Sequence, residues 1–349
     1  MMVDRFSLEN DLEMGKWDEF VLNHPRSTPY HLSGWLKVIQ QTYSFRPLLF
    51  VWRGEGAISG VFPVFLVRQF TGDRRLISLP FSDYGGPLFL EEKVAGEALE
   101  ELLREYKRQQ KSIEIRGFVP EGLGFIPLEY YKSHVLSLSE SLSAISSRIE
   151  KRTILYSIRK AERAGLETRE SNDADGMEQF YRLNVLTRRK HGVPAQSKAF
   201  FENLLQNMIR KGFGYLLLSH YMSQTVAASL FLNAGRRLHY KYNASDPNVL
   251  GKITPNHALT FHAIKKANEE GYLSLDFGRT SPDNEGLMRY KAMWGCECLD
   301  CPYHYFPQIR GASSTAESSR LFKAFTGLWR RLPMSTTRAI GPWIYRYMV

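Results

Sequence analysis

Twice in this chain a turn leads into a strand that alternates small and large apolar side chains. The first copy is GAISGVFPVFLV at 56–67 and the second is SQTVAASLFLNA at 223–234. Each runs on into another strand that begins with basic residues, around Arg74-Arg75 and Arg236-Arg237. Self-similarity of this kind implies two copies of one α/β unit. The length of 349 residues, with 43% hydrophobic and 23% charged side chains, supplies a core for each.

The elements around the copies alternate. Strands are expected at 48–52, 57–67, 75–79, 112–116 and 133–138, where Val, Ile, Leu and Phe cluster between turn residues. Gly54 and Gly56 mark a hairpin turn. Helices are expected around 19–21 and 34–41, and over 91–110, where Val94, Ala98, Leu99, Leu102, Leu103 and Tyr106 share a face. One or two helices fill 139–164, and Gly165 suits a C-cap. The second series has helices at 177–191 and 199–211 and three antiparallel strands at 214–220, 225–232 and 237–242. A helix then starts at Thr254-Pro255 and stops at Gly271, with strands at 273–276 and 301–306. The expected fold is α/β with mixed α+β sheets, divided at 1–145, 146–311 and 312–349. The stretch 311–319 (GASSTAESS) reads as a linker.

The net charge of +10 favours an anionic partner: nucleic acid, a phosphorylated substrate or an anionic lipid surface. Its sources are local. Residues 148–163 hold Lys151, Arg152, Arg159, Lys160 and Arg163 on one helix, which is a solvated face or a platform for phosphates. Arg188, Arg189, Lys190 and His191 end another helix, where they complement its dipole or bind an anion. The stretch 321–349 mixes basic residues with Trp329, Trp343, Tyr345 and Tyr347, which suits a membrane interface or a helix packed on the body. The N-terminus lacks an apolar signal region, and no run approaches the roughly 18–20 apolar residues of a membrane span. Three cysteines make no disulfide framework, so a cytoplasmic location is expected.

Several chemistries are disfavoured. Asp276-Phe277-Gly278 spells the magnesium-binding triplet of kinases, but neither a Gly-rich phosphate loop with its Val-Ala-Ile-Lys strand nor a His-Arg-Asp catalytic loop precedes it. There is no GxxxxGK[ST] and no GxSxG. Cys296, Cys298, Cys301 and His304 could hold zinc by ligand type, yet their spacing is not that of paired C-x₂-C hooks, and no metal is assigned. Lys291 follows a polar loop, 278–286, at a strand end, where a lysine can neutralise an oxyanion or a phosphate; it could equally be a surface lysine.

LSLDFGRTSPDNEGLMRYKAMWG resembles the closing segment of the Fem-type aminoacyltransferases, which have tandem acetyltransferase-like (GNAT) domains. KRTILYSIRKAERAGLETR, LTRRKHGVP with FFENLL, LPFSDYGGPLF and YHLSGWLKVIQQTY resemble further motifs of that family, so the resemblance covers nearly the whole chain. SLPFSDYGGPL is most similar to the subgroup associated with exosortase and exopolysaccharide gene clusters. The resemblance implies two tandem GNAT-like domains, a C-terminal helical segment and transfer of an acyl or aminoacyl group to an amine of a peptidoglycan or exopolysaccharide precursor. No bound cofactor is implied. The donor would be aminoacyl-tRNA rather than acyl-CoA, with the 148–163 helix binding that tRNA or an acceptor diphosphate: where a CoA enzyme carries its Gly-rich pyrophosphate loop, this chain reads NVLGKITPNHAL.

Residue by residue, Lys291 matches the family's F/Y-K lysine, with Tyr290 before it. Asp276 and Arg279 flank the same strand end; Arg279 could hold a phosphate or carboxylate and Asp276 orient it. Arg189 and Lys190 fall near a family arginine that contacts diphosphate. Two departures appear. Arg116 stands where the family has an acidic strand end, and Lys37 sits ambiguously beside Trp35. Asp83 is the candidate substitute acid or base; otherwise it caps the turn before Gly85-Gly86. The implied catalytic set is Lys291, Asp83 and Asp276. The implied substrate-binding set is Arg279, Tyr290, Arg189, Lys190, Lys37, Arg159 and Lys160. The implied place is the cytoplasm, peripheral to the inner membrane face through 321–349. The rival readings are a non-catalytic binding protein with a degenerate acetyltransferase fold and a CoA-dependent N-acetyltransferase.

Overall fold

The computed structural model describes residues 2–54, 56–70, 72–107, 112–249, 253–307 and 320–349. The expected linker at 311–319 lies outside them. In chain order the elements are β1 (Met2–Phe6), α1 (Asp11–Asn23), α2 (Ser33–Tyr43), β2 (Arg46–Gly54), β3 (Ala57–Arg68), β4 (Arg74–Ser78), β5 (Leu88–Phe89), α3 (Glu92–Lys107), β6 (Ser112–Arg116) and β7 (Ile126–Ser137). There follow α4 (Leu142–Arg148), α5 (Tyr156–Arg163), β8 (Glu167–Glu170), α6 (Ala174–His191), α7 (Lys198–Asn207), β9 (Gly214–Tyr221), β10 (Gln224–Ala234) and β11 (Arg237–Ser245). The last are α8 (Pro255–Glu269), β12 (Ser274–Thr280), α9 (Glu285–Ala292), β13 (Glu297–Phe306), α10 (Arg320–Arg331) and α11 (Met334–Tyr345). The chain forms two compact units. One comprises residues 1–131 with 300–315 and 349; the other comprises 132–299 with 316–348.

In the first unit β1 to β4 pair antiparallel in order, and β4 runs parallel to β6. Residues 303–306 of β13 close it, antiparallel to β6. The face lined by Phe50, Trp52, Phe62, Val64, Leu76 and Ile113 packs on Leu99, Leu102 and Leu103 of α3. The amphipathic stripe of 91–110 has therefore found its sheet, as the 3.6-residue spacing of its apolar positions requires.

The second unit repeats this order. β8, β9, β10 and β11 are antiparallel neighbours, β11 is parallel to β12, and residues 132–137 of β7 close the sheet antiparallel to β12. Two helices precede each three-strand meander (α1 and α2; α6 and α7), and one helix crosses over to each parallel strand (α3; α8). The repeat read from 56–67 and 223–234 is β3 and β10, the middle strands of the two meanders. Phe231, Leu217, Leu238, Leu259, Ile264, Leu275 and Trp294 fill the second core.

One local expectation is refined and another revised. The 139–164 stretch is α4 and α5 with a π-helical turn between them at Lys151–Leu155, opened by Glu150, whose carboxylate accepts from Arg152 N at 2.9 Å and Thr153 N at 2.5 Å. The loop expected at 278–286 is shorter: β12 continues to Thr280, a turn covers 281–284, and α9 already begins at Glu285 and carries Lys291. Asn284 starts that helix by accepting from Leu287 N at 3.2 Å. An interior Gly286 hides its helical character in the sequence.

Candidate functional site at the parted strands of the second unit

β11 and β12 pair only from Arg237↔Ser274 to His239↔Asp276. Beyond that point β11 continues to Ser245 beside β10, and β12 to Thr280 beside β7, so the two parallel strands part at their carboxyl ends. Such a parting is where α/β sheets accept ligands. Asp276 stands at the fork. Its carboxylate Oδ1 accepts from Gly278 N at 2.7 Å and from Ser133 Oγ at 3.0 Å. The β12–β7 register slips between Asp276 and Arg279, and Gly278 takes φ +73°. Asp276 is thus bonded to its own chain two residues on, and a glycine supplies the left-handed geometry that this needs. The kinase-like triplet is a bulge device.

The bulge aims carbonyls at Lys291. Its Nζ donates to Gly278 O at 2.6 Å and to Arg279 O at 3.4 Å, and the residue is 5% exposed. This is a buried ammonium rather than a surface lysine. His134, His239 and Ser133 are buried in the same unit, with His239 Nδ1 3.9 Å from Asp276 Oδ2. Burial holds the His134 imidazole below its ordinary pKa; the Lys291 charge adds to this, and Asp276 opposes it. Its Nδ1 has no hydrogen-bond partner among the described residues. Burial also pushes the Cys296 thiol up to about 12. It raises the Tyr290 phenol as well, and that ring stacks on His257 at 5.7 Å. Ser133, His134 and His239 carry no signal in the sequence: Ser133 meets Asp276 across 143 positions of chain, and each reads locally as one polar residue in a strand.

The basic helix adjoins α9. Glu150 N donates to Met293 O at 2.9 Å, two residues after Lys291. A Cβ on Gly295 would meet Arg148 Cβ at 2.9 Å. From this anchor Lys151, Arg152, Arg159, Lys160 and Arg163 are all exposed, while Ile154, Ile158 and Ala161 face the core. Arg189 and Lys190 sit in the last turn of α6, which Thr187 fixes to the end of β11: Thr187 Oγ1 donates to Ser245 O at 3.1 Å and accepts from Ser245 N at 2.9 Å. Arg189 Nε is buried and has no hydrogen-bond partner among the described residues.

The remaining candidates belong to the first unit, whose parallel strands give a revealing parallel. Their third pair is Ile77↔Glu114, so Glu114 occupies the register position that Asp276 holds in the second unit. Glu114 is locked between Arg75 Nη2 at 2.6 Å and Arg116 Nε at 2.8 Å. Arg116 is therefore half of a buried ion pair; the acidic residue sits two positions earlier. Asp83 accepts from Tyr30 OH at 2.5 Å, and its backbone carbonyl accepts from Tyr303 OH at 2.6 Å. Lys37 lies on α2 with Asp11 3.3 Å from its Nζ. Asp276, Arg279, Tyr290 and Lys291 thus come together at one strand end and its following helix, whereas Asp83 and Lys37 stand in the other unit. Cys296 is half-buried, Cys298 exposed and Cys301 buried, and His304 Nδ1 is 2.8 Å from Gly117 O. Among the described residues no group of three or more His, Cys, Asp or Glu side chains is placed to hold a metal ion.

Residues 149–292 match the acetyltransferase (GNAT) domain family. A lipid II:glycine glycyltransferase of Staphylococcus epidermidis is 36% identical over 76 residues, which are 20% of this chain and 18% of that protein. The Staphylococcus haemolyticus protein of the same name is 34% identical over 86 residues, 23% of this chain and 20% of its own. The chain thus spans about a fifth of the length of the curated relatives it matches. Among solved structures FemX superposes with a TM-score of 0.70 at 17% identity, covering 91% of this chain and all of that one. A tandem GNAT protein of the clavulanic acid pathway gives 0.53 at 9% identity, covering 87% and 97%. These likenesses and the repeated strand order establish the architecture as α/β, two tandem GNAT-like domains with a C-terminal helical segment.

Proposed function

We propose that the chain is a Fem-type aminoacyltransferase that transfers an aminoacyl group to an amine of a cell-envelope precursor. The observation that carries this reading is the buried Lys291 ammonium at the parted strands, joined through Glu150 and Met293 to an exposed basic helix. Attack of an amine on an ester builds negative charge on the carbonyl oxygen, and a fixed cation in a site shielded from water is the group that stabilises it. Asp276 acts through Lys291 as a positioning residue, since its carboxylate is spent on the bulge. The acceptor amine sheds its proton to a carboxylate or to the substrate itself. Arg279, Arg189 and Lys190 bind acceptor phosphate, with Tyr290 beside Lys291. Arg159 and Lys160 bind the tRNA of the donor.

The precursor is lipid-linked or nucleotide-linked peptidoglycan, or its exopolysaccharide counterpart if the chain belongs to the exosortase-associated subgroup. The domain limits 1–145, 146–311 and 312–349 belong to the same reading. So does a cytoplasmic place at the inner membrane face. Acyl-CoA is the second donor reading, favoured by the acetyltransferase family match.

The decisive assay offers labelled aminoacyl-tRNA and acetyl-CoA separately with a muropeptide acceptor. Transfer from tRNA is expected, with Lys291→Ala slowing it about 100-fold or more at unchanged secondary structure. Consumption of acetyl-CoA alone establishes the second donor. Binding of tRNA with no donor consumed establishes the non-catalytic reading.

A further inference from the structure

Residues 320–349 contain five arginines and one lysine and no acidic residue. They form two helices, and each has a settled inner side. Thr326 and Trp329 of α10 are buried, with Trp329 stacked on Phe325 at 5.6 Å, and Thr326 lies against Gly192 just after α6. Thr337 and Gly341 of α11 are buried, and Gly341 abuts Ala195 and Trp329. The pair is therefore docked on the second unit and does not need its other side to stay there. That other side is apolar where a surface helix is usually polar: Leu328 is 63% exposed and Trp343 55%, and Ile340 and Met348 are exposed too. Ile340, Trp343 and Tyr347 recur at three- and four-residue steps, and the Trp343 and Tyr347 rings meet at 5.5 Å. Arg330, Arg331 and Arg338 are exposed on the same two helices, and the Arg346 guanidinium lies 5.5 Å from the Tyr347 ring centroid.

We propose that the outward side of α10 and α11 is a docking surface for an anionic lipid bilayer. Exposed Trp, Ile and Leu among arginines, in a segment that has no Asp or Glu, match a headgroup layer that is negative outside and apolar beneath. Trp and Tyr rings lie at that boundary because one edge is apolar and the other wet. RNA is the competing polyanion. It would be met by arginines with stacking rings, and exposed Leu328 and Ile340 have no use in such a contact. No helix is long and apolar enough to cross a membrane among the described residues, so the contact is a lateral one. The inference deepens the peripheral location in the proposed function, but its test reads binding alone and fails independently of acyl transfer.

The experiment is sedimentation of the full chain with phosphatidylcholine vesicles, pure or with about 30 mol% phosphatidylglycerol. Expected is binding to the anionic vesicles only, weakened by salt. Trp343→Ala and the double variant Arg338→Glu/Arg346→Glu should each reduce it by about 10-fold with an unchanged melting temperature. Trp343 emission should shift to the blue in anionic vesicles, and the shift should vanish in Trp343→Phe. Equal binding to neutral vesicles, binding unaffected by both variants, or binding of tRNA through these arginines with no vesicle binding would each overturn the proposal.

Discussion

At the residue scale the informative position is Gly278. Three letters that look like a metal-binding triplet are explained by one carboxylate, one amide and one positive φ. Alanine at 278 would have to enter the left-handed region, which costs roughly 1–2 kcal/mol. The cost in function should exceed the cost in stability, because the Gly278 carbonyl is the acceptor that fixes Lys291 Nζ. Gly278→Ala should therefore lower the melting temperature by only a few degrees. On the proposed function, transfer should fall much further, read as a loss in kcat with KM for the donor little changed. Equal losses in Gly278→Ala and in an alanine at an exposed helical glycine such as Gly327 would contradict it. Lys291 shows what the sequence could and could not carry. Its residue type and neighbourhood were legible. Its burial was not, since burial comes from a helix and a bulge that close on it from thirteen residues away.

At the element scale the helix α9 is the correction that matters. The stretch SPDNEGLM has the polar and glycine content of a loop, and a reading by composition makes it one. The cap reverses this: Asn284 Oδ1 accepts from Leu287 N, and Glu285 lies in the first turn where the helix dipole favours an acid. Asn284→Ala removes the cap and should cost about 1 kcal/mol. The loss should be local, seen as faster amide exchange over 286–291, and Asn284→Asp should restore protection because a carboxylate caps as well. Unchanged exchange in Asn284→Ala would show that packing of Trp294 and Tyr290, not the cap, holds the helix. By contrast, α3 and α8 were legible, the first from a long apolar stripe and the second from Thr254-Pro255, because their signals are local. The partners of β7 and β13 were not. Each strand closes a sheet whose other members lie far away in sequence, and local pattern carries no information about such pairing.

For the whole molecule, the repeat explains why one acidic position can have two fates. Register places Glu114 and Asp276 alike, yet Glu114 is enclosed by two arginines and Asp276 by a hydroxyl, an amide and an imidazole. Duplication preserves a scaffold, and each copy settles its buried charge separately. The second copy also buries several histidines, and the pH response should show it. Burial is the first cause lowering the pKa of His134, His191, His257 and His262 from 6.5. For each, the unfolded chain takes up a proton at a higher pH than the folded one, so acidification favours unfolding. The stabilisation is complete above about pH 6.5 and drains away as pH falls from there through the folded-state values. The carboxylates of Glu150 and Asp173, lowered by backbone hydrogen bonds, lose theirs only below their ordinary values of 4.5 and 3.8. The melting temperature should thus fall in two stages, the first between about pH 7 and pH 5. His134→Gln should shrink that first stage and leave the acid stage in place. A melting temperature flat down to about pH 5 would mean that these imidazoles are charged or solvated in the folded chain.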